Sequence, residues 1–167
     1  MTLQELNSLS YAEAYTQLES CCVSKIWVTS MVNSRPFESI DKLISISNSA
    51  WKKCKKKDFL EAFKGHPKIG NVSSLAKKYA NTSDLAANEQ SGVDSANVQI
   101  INSLAKGNQE YEKKFGFIFI VCATGKSAKE MLSLLEDRIH NNIDQELYIA
   151  AAEQHKITTL RIKKLLT

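Results

Sequence analysis

The chain has 167 residues, 43% apolar and 24% charged, the make-up of a globular protein whose core needs neither disulfide nor metal. Its 22 Lys and Arg against 18 Asp and Glu leave a net charge of only +4. That is too weak for a nucleic-acid-binding surface, and no apolar run approaches the roughly 20 residues of a membrane span, so neither partner is expected.

Taken in chain order, Ser10-Tyr11-Ala12-Glu13 has the spacing of a capping box and predicts a short helix toward Leu18. Arg35-Pro36 breaks the chain. Ile40, Leu43, Ile44, Ile46, Ala50, Trp51 and Cys54 then carry a helical period. Lys52, Lys53, Lys55, Lys56 and Lys57 sit at the end of that helix, where cations complement the dipole; a phosphate-binding patch is the other reading. Asp58 is placed to cap a short helix through Phe63, which Gly65-His66-Pro67 ends. Short helices are expected over 73–79 and 83–90. A longer one starts at Ser95 with an apolar face at Val98, Ile101, Leu104 and Tyr111. Ser127 caps the next, which turns Met131, Leu135 and Ile139 to one side, and the last runs from about Asp144 to Leu166.

Residues 115–123, Phe-Gly-Phe-Ile-Phe-Ile-Val-Cys-Ala, are aromatic and β-branched and read locally as a buried strand. No second run offers this segment a partner, so it is expected to be extended or partly helical within an all-α fold. No repeat, low-complexity tract or Pro/Gly-rich linker marks a boundary. Residues 1–167 are therefore read as a single compact domain of about eight helices. Cys21, Cys22, Cys54 and Cys122 show no C-x-x-C or Cys/His spacing, which predicts reduced thiols and no metal site. With no apolar leader and a terminal Leu-Leu-Thr that is not a peroxisomal address, a cytoplasmic protein is expected.

Among the motifs, Ala123-Thr124-Gly125-Lys126-Ser127 resembles the end of a phosphate-binding loop, but the position that needs the first glycine is Ile120. A turn followed by an N-cap is the better account. His66 lies between Gly65 and Pro67 just past a helix end, and the proline restricts its backbone. Such a residue suits proton transfer near neutral pH; a surface or satisfied core histidine has the same local pattern. Glu89-Gln90 before Ser91-Gly92 fits either a site or the polar end of a helix. His140 and His155 are expected to be exposed. Ala150, Gln154, Ile157 and Arg161 share one helical face, so the two polar groups there need partners or lie at a polar edge. Arg138, beside Met131 and Leu135, poses the same problem.

Together these segments resemble the family of 2-oxo-4-hydroxy-4-carboxy-5-ureidoimidazoline (OHCU) decarboxylases of urate degradation. The matching landmarks are Trp27, Arg35-Pro36-Phe37, Trp51, Ala62-Phe63 and His66-Pro67-Lys68-Ile69-Gly70. Glu89-Gln90-Ser91-Gly92, Tyr111 with Lys114-Phe115-Gly116-Phe117-Ile118-Phe119, Lys126-Ser127, Arg138, Asn142, Glu146, Ala150, Ile157 and Arg161 complete the series. The resemblance implies an all-α, cofactor-free lyase that makes (S)-allantoin, assembles as a homodimer and uses no metal. It implies that His66 is the proton donor and that Glu89 assists it. Substrate contacts would come from Pro67, from Ala86, Ala87, Asn88, Glu89 and Gln90, from Val121, Cys122, Ala123, Thr124 and Gly125, and from Arg161. The family commonly has a serine where this chain has Ala86, so one hydroxyl contact to substrate is missing unless Ser83 or Ser91 supplies it. Two other readings stand beside this one: a helical protein–protein interaction module, and a related lyase or hydrolase acting on another ureido compound.

Overall fold

Nine helices and no strand occur among the described residues of the computed structural model, which are 1–67, 72–79 and 92–167. The all-α expectation holds, and the helices over Leu3–Ser8 and Lys25–Asn33 are two that the sequence reading did not anticipate. The predicted helix over 83–90 lies outside the described residues. The chain divides into two compact units, one made of Met1–His66 with Leu147–Thr167 and the other of Pro67–Glu146. None of the described helices is long and apolar enough to cross a membrane.

The first unit holds α1 (Leu3–Ser8), α2 (Tyr11–Glu19), α3 (Lys25–Asn33), α4 (Ile40–Lys53), α5 (Lys56–Phe63) and most of α9 (Ile143–Leu165). The Ser10–Glu13 capping box is formed: the Ser10 hydroxyl accepts from Glu13 N, and the Glu13 carboxylate accepts from Ser10 N. Helix α3 packs against α2, α4 and α5 around Leu18, Trp27, Met31 and Leu43, all with no exposed surface. Trp51 Nε1 donates to Ala151 O at 3.1 Å and joins α4 to α9. The Arg35 guanidinium donates to Leu6 O and Leu9 O, covering carbonyls that the short helix α1 leaves unpaired.

Two expectations in this unit need correction. Asp58 does not precede α5 as its cap; it lies within the first turn, buried, and its carboxylate accepts from Lys55 N at 2.8 Å. The lysine run is likewise not one helix end. Lys52 and Lys53 close α4, Cys54 is buried at the break, and Lys56 and Lys57 open α5. The break falls at Cys54, the C-cap of α4, where the backbone turns extended.

The second unit contains α6 (Val72–Tyr79), α7 (Gly92–Phe115) and α8 (Ala128–Arg138), and it takes the first turn of α9. Leu75, Ile101, Leu104, Ala105, Met131 and Leu135 form its core. Helix α7 packs against both α6 and α8. Gly107 permits this approach, because a Cβ there would lie 2.7 Å from Leu135 Cδ2. Val98 is not on the buried face as the periodicity suggested: it is 57% exposed, whereas Ile101 is buried.

The strand-like run forms no strand. Gly116, at φ +77°, ends α7 with its N–H on Glu112 O, a conformation that favours glycine. The chain then runs without helix or strand to a turn at Gly125 and enters α8 through the Ser127–Glu130 capping box. Phe115, Phe117 and Phe119 gather round the Tyr111 ring.

Arg138 supplies one of the hydrogen bonds that a neighbouring strand would have supplied. Its Nη1 donates to Ile120 O at 2.9 Å, and its guanidinium lies 4.6 Å from the Phe119 ring centre. Its Nε and Nη2 donate to Glu146 Oε1 at 2.8 and 2.5 Å. Glu146 has no exposed surface and also accepts from the Tyr111 hydroxyl and from Asn141 Nδ2. Burial and the Glu146 bond raise the Tyr111 pKa far enough to keep the phenol a donor. Removing Arg138 leaves a buried carboxylate without its counter-charge, which costs about 3–5 kcal/mol. Arg138→Met is therefore expected to lose about that much in urea unfolding; a loss below about 1 kcal/mol would contradict the network.

Candidate active site

Helix α5 ends in three successive tight turns: Lys64 N donates to Glu61 O, Gly65 N to Ala62 O and His66 N to Phe63 O. Pro67 has no N–H to continue the ladder, and it disfavours helical backbone at His66. Gly65 is needed for another reason. A Cβ at that position would lie 2.9 Å from both methyl groups of Val23 and 3.3 Å from Ala62 O. The backbone of His66 is thus bonded to α5, and Val23 packs closely on Gly65 just before it.

The His66 ring is half-buried, and its Nε2 is hydrogen-bonded to Gln154 Oε1 at 2.5 Å. Gln154 is fully buried on α9, where its Nε2 donates to the Thr158 hydroxyl at 3.2 Å. Thr158, also fully buried, donates in turn to Gln154 O at 3.0 Å. Arg161, one turn further along, is half-buried and donates through Nη1 to Cys21 O at 3.3 Å. Burial lowers the pKa of His66; the Gln154 bond opposes this, and the Arg161 charge adds to it. The ring is therefore neutral at physiological pH in these surroundings.

Of the expected site residues, His66 and Arg161 both lie in the first unit, where the Arg161 charge acts on the His66 ring. Pro67 is exposed and begins the second. Val121 and Ala123 pack on the core of the second unit, and Cys122 O accepts from Lys126 Nζ at 2.9 Å. Thr124 and Gly125 are exposed, with Gly125 at φ +75° in the turn. Ala86, Ala87, Asn88, Glu89 and Gln90 lie outside the described residues.

Gln154 and Thr158 were not among the expected site residues, although Gln154 was marked by its place on an apolar face. The partner of that glutamine is a histidine 88 positions away, which periodicity cannot reveal. His155 also differs from expectation. It is half-buried, stacked on Trp51 with ring centres 5.8 Å apart, and its Nε2 meets Asn48 Oδ1 at 2.6 Å. The indole beneath it supplies the burial that its polar sequence neighbours hide.

Burial pushes the Cys22 and Cys54 thiols up to about 11, so neither is a ready nucleophile. Among the described residues no group of three or more His, Cys, Asp or Glu is arranged to hold a metal ion.

The OHCU decarboxylase family model matches residues 7–163. The uric acid degradation bifunctional protein TTL of Arabidopsis thaliana is 37% identical over 147 residues, covering 87% of this chain and 45% of that protein. The chain likewise spans 32% of a bifunctional uric acid degradation protein of a Bacillus species, at 26% identity over 99% of this chain. So it corresponds to half or less of these two longer relatives. The OHCU decarboxylase of Haloferax volcanii is 25% identical over 97% of this chain and 94% of its own. A crystal structure of OHCU decarboxylase in the presence of (S)-allantoin superposes with a TM-score of 0.70 at 37% identity, covering 89% of this chain and 95% of that one.

The depressed His66 pKa has a measurable sign. The unfolded chain takes up this proton at a higher pH than the folded one. The contribution to stability is therefore complete above about pH 6.5 and is lost as the pH falls through the lower folded-state value. A ring-proton NMR titration should give a His66 midpoint below 6.5. Gly65→Ala should push on Val23 and cost about 1–3 kcal/mol in urea unfolding, as overpacking does, while Gly125→Ala, in open space, should show only the cost of its positive φ.

Proposed function

The chain belongs to the OHCU decarboxylase family, and from that premise we propose that it is a carboxy-lyase converting OHCU to (S)-allantoin in urate degradation, with residues 1–167 acting as one functional domain. The observation that carries this reading is the family match over residues 7–163, and it is supported by a half-buried His66 hydrogen-bonded to Gln154 of α9, the helix that also bears the half-buried Arg161. The imidazole can move a proton, and the guanidinium can hold a carboxylate through two parallel N–H bonds.

The chemistry asks for these two functions. Breaking the bond from ring carbon C4 to its carboxylate releases CO2 and leaves an electron pair. That pair forms a C4–C5 double bond while the imine electrons move onto the ring nitrogen, which takes a proton from solvent, the one proton the reaction consumes. The substrate's own imine is thus the electron sink, so no external cofactor is called for. The C4 hydroxyl then gives up its proton as the carbonyl forms, and C5 receives one on a single face. A neutral His66 takes the first proton and, as imidazolium, returns one to C5. Its role as donor thus begins with its acting as base.

Glu89 assists by sharing or steering that proton, an assignment supported by the resemblance alone. The same support places substrate contacts at Pro67, at Ala86, Ala87, Asn88 and Gln90, and at Val121, Cys122, Ala123, Thr124 and Gly125. Homodimeric assembly rests on the resemblance, and a cytoplasmic location on reduced thiols; sedimentation analysis tests the dimer.

Freshly generated OHCU should give dextrorotatory (S)-allantoin by circular dichroism with the protein and slow racemic product without it. Unchanged racemic decay with folded protein would overturn the assignment. His66→Ala should reduce kcat by about 10²–10⁴-fold, and the acid limb of kcat/KM should lie below pH 6.5. Arg161→Lys keeps the charge but loses the fork, so its defect should appear mainly in KM.

A further inference from the structure

The bonds around His66 determine where its proton sits as well as how the ring is held. We infer that Gln154 and Thr158 are positioning residues for the proposed decarboxylation: they keep the neutral ring protonated on Nε2, which makes Nδ1 the atom that takes and returns the catalytic proton. The chemistry of this inference rests on the functional reading above, whereas the tautomer rests on hydrogen-bond geometry alone.

Thr158 sets the order of donors and acceptors. Its hydroxyl carries one hydrogen, and that hydrogen is directed at Gln154 O one turn back, at 3.0 Å. The oxygen can then offer only a lone pair to the Gln154 side chain, so the group facing it at 3.2 Å is the amide NH2. The amide oxygen is left facing His66 Nε2 at 2.5 Å. A carbonyl oxygen only accepts, so Nε2 must be the donor and the neutral ring has its lone pair on Nδ1.

Turning the amide over would reverse these roles at a cost. The NH2 would donate to Nε2, and Thr158 would have to abandon Gln154 O to donate to the amide oxygen. Three hydrogen bonds would become two. Gln154 and Thr158 both have no exposed surface, so solvent cannot replace the lost bond.

The arrangement also suits a full catalytic cycle. When Nδ1 takes a proton, Nε2 remains a donor to the same amide oxygen. The ring therefore keeps one orientation in both protonation states. A neutral amide does this without the counter-charge that would make the imidazolium reluctant to release its proton. Thr158 reaches Gln154 because residues four apart share a helix face.

The test is nitrogen-15 NMR of the His66 ring in substrate-free protein, alongside steady-state kinetics. In the unsubstituted protein above its titration midpoint, Nε2 should show the shift of a protonated nitrogen and Nδ1 that of an unprotonated one. Thr158→Val removes the acceptor that orients the amide, and Gln154→Leu removes the acceptor for Nε2–H. Each should move the ring toward a mixture of tautomers, and Gln154→Leu should lower kcat about tenfold with little change in KM. Thr158→Ser restores the hydroxyl and should restore both readings.

A proton on Nδ1 in the unsubstituted protein would overturn the inference, even if every variant failed to fold. So would an unchanged tautomer in folded Gln154→Leu. Neither result touches the functional reading, because the NMR requires no turnover. Conversely, the expected tautomer in a protein that leaves OHCU decay racemic would sink that reading and keep the assignment of the ring proton.

Discussion

A carboxylate with no exposed surface cannot stand alone in a protein interior, and Glu146 is such a group. Its demand for partners organises the second unit. Arg138 supplies two N–H bonds and the counter-charge, Tyr111 supplies a hydroxyl, and Asn141 covers the second carboxylate oxygen. These four residues come from α7, from α8, from the turn beyond it and from the first turn of α9. One buried ion thus fixes the helices against one another where a purely apolar core could slide.

The same guanidinium also serves the segment that leads from α7 to α8 without helix or strand. Residues 116–123 have no strand beside them, yet buried carbonyls in an apolar setting must be satisfied. Ile120 O takes its bond from Arg138, and the Phe119 ring packs beside the same cation. A side chain that already had to enter the interior to meet Glu146 therefore serves a second purpose. The aromatic residues round Tyr111 exclude water, which strengthens both interactions.

In the first unit a polar chain rather than an ion fixes the central group. Helix α9 presents Gln154 and Thr158 inward among Ala150, Ala151 and Ile162, and the buried amide meets a histidine that a broken helix delivers. Each link is neutral. The ring feels burial and a nearby arginine but no facing carboxylate among the described residues, and it is held without being charged. That is the condition under which an imidazole can both take and give a proton near neutral pH.

Local patterns read directly from the sequence gave the helices with strong signals. The capping box at Ser10, the N-cap at Ser127 and the Gly65-His66-Pro67 stop are satisfied within a few residues, so a linear reading finds them. The inward placement of Arg138 and Gln154 was also visible, as polar residues on otherwise apolar faces. Asp58 and Val98 were misplaced because cap and face boundaries shift by a residue or a turn when packing selects the register. His155 was misjudged because its cover, Trp51, lies a hundred residues away.

The sequence by itself determined the all-α class, most helix limits, the family resemblance and the choice of His66 as the group to watch. All of these depend on short-range periodicity, on backbone restrictions or on ordered motifs along the chain. Only the tertiary structure decided which partner each buried polar group would take: Glu146 for Arg138, Gln154 for His66, Cys21 O for Arg161. Such pairings join residues as many as 140 positions apart. Their energy depends on distance and on the exclusion of water, and a linear pattern encodes neither.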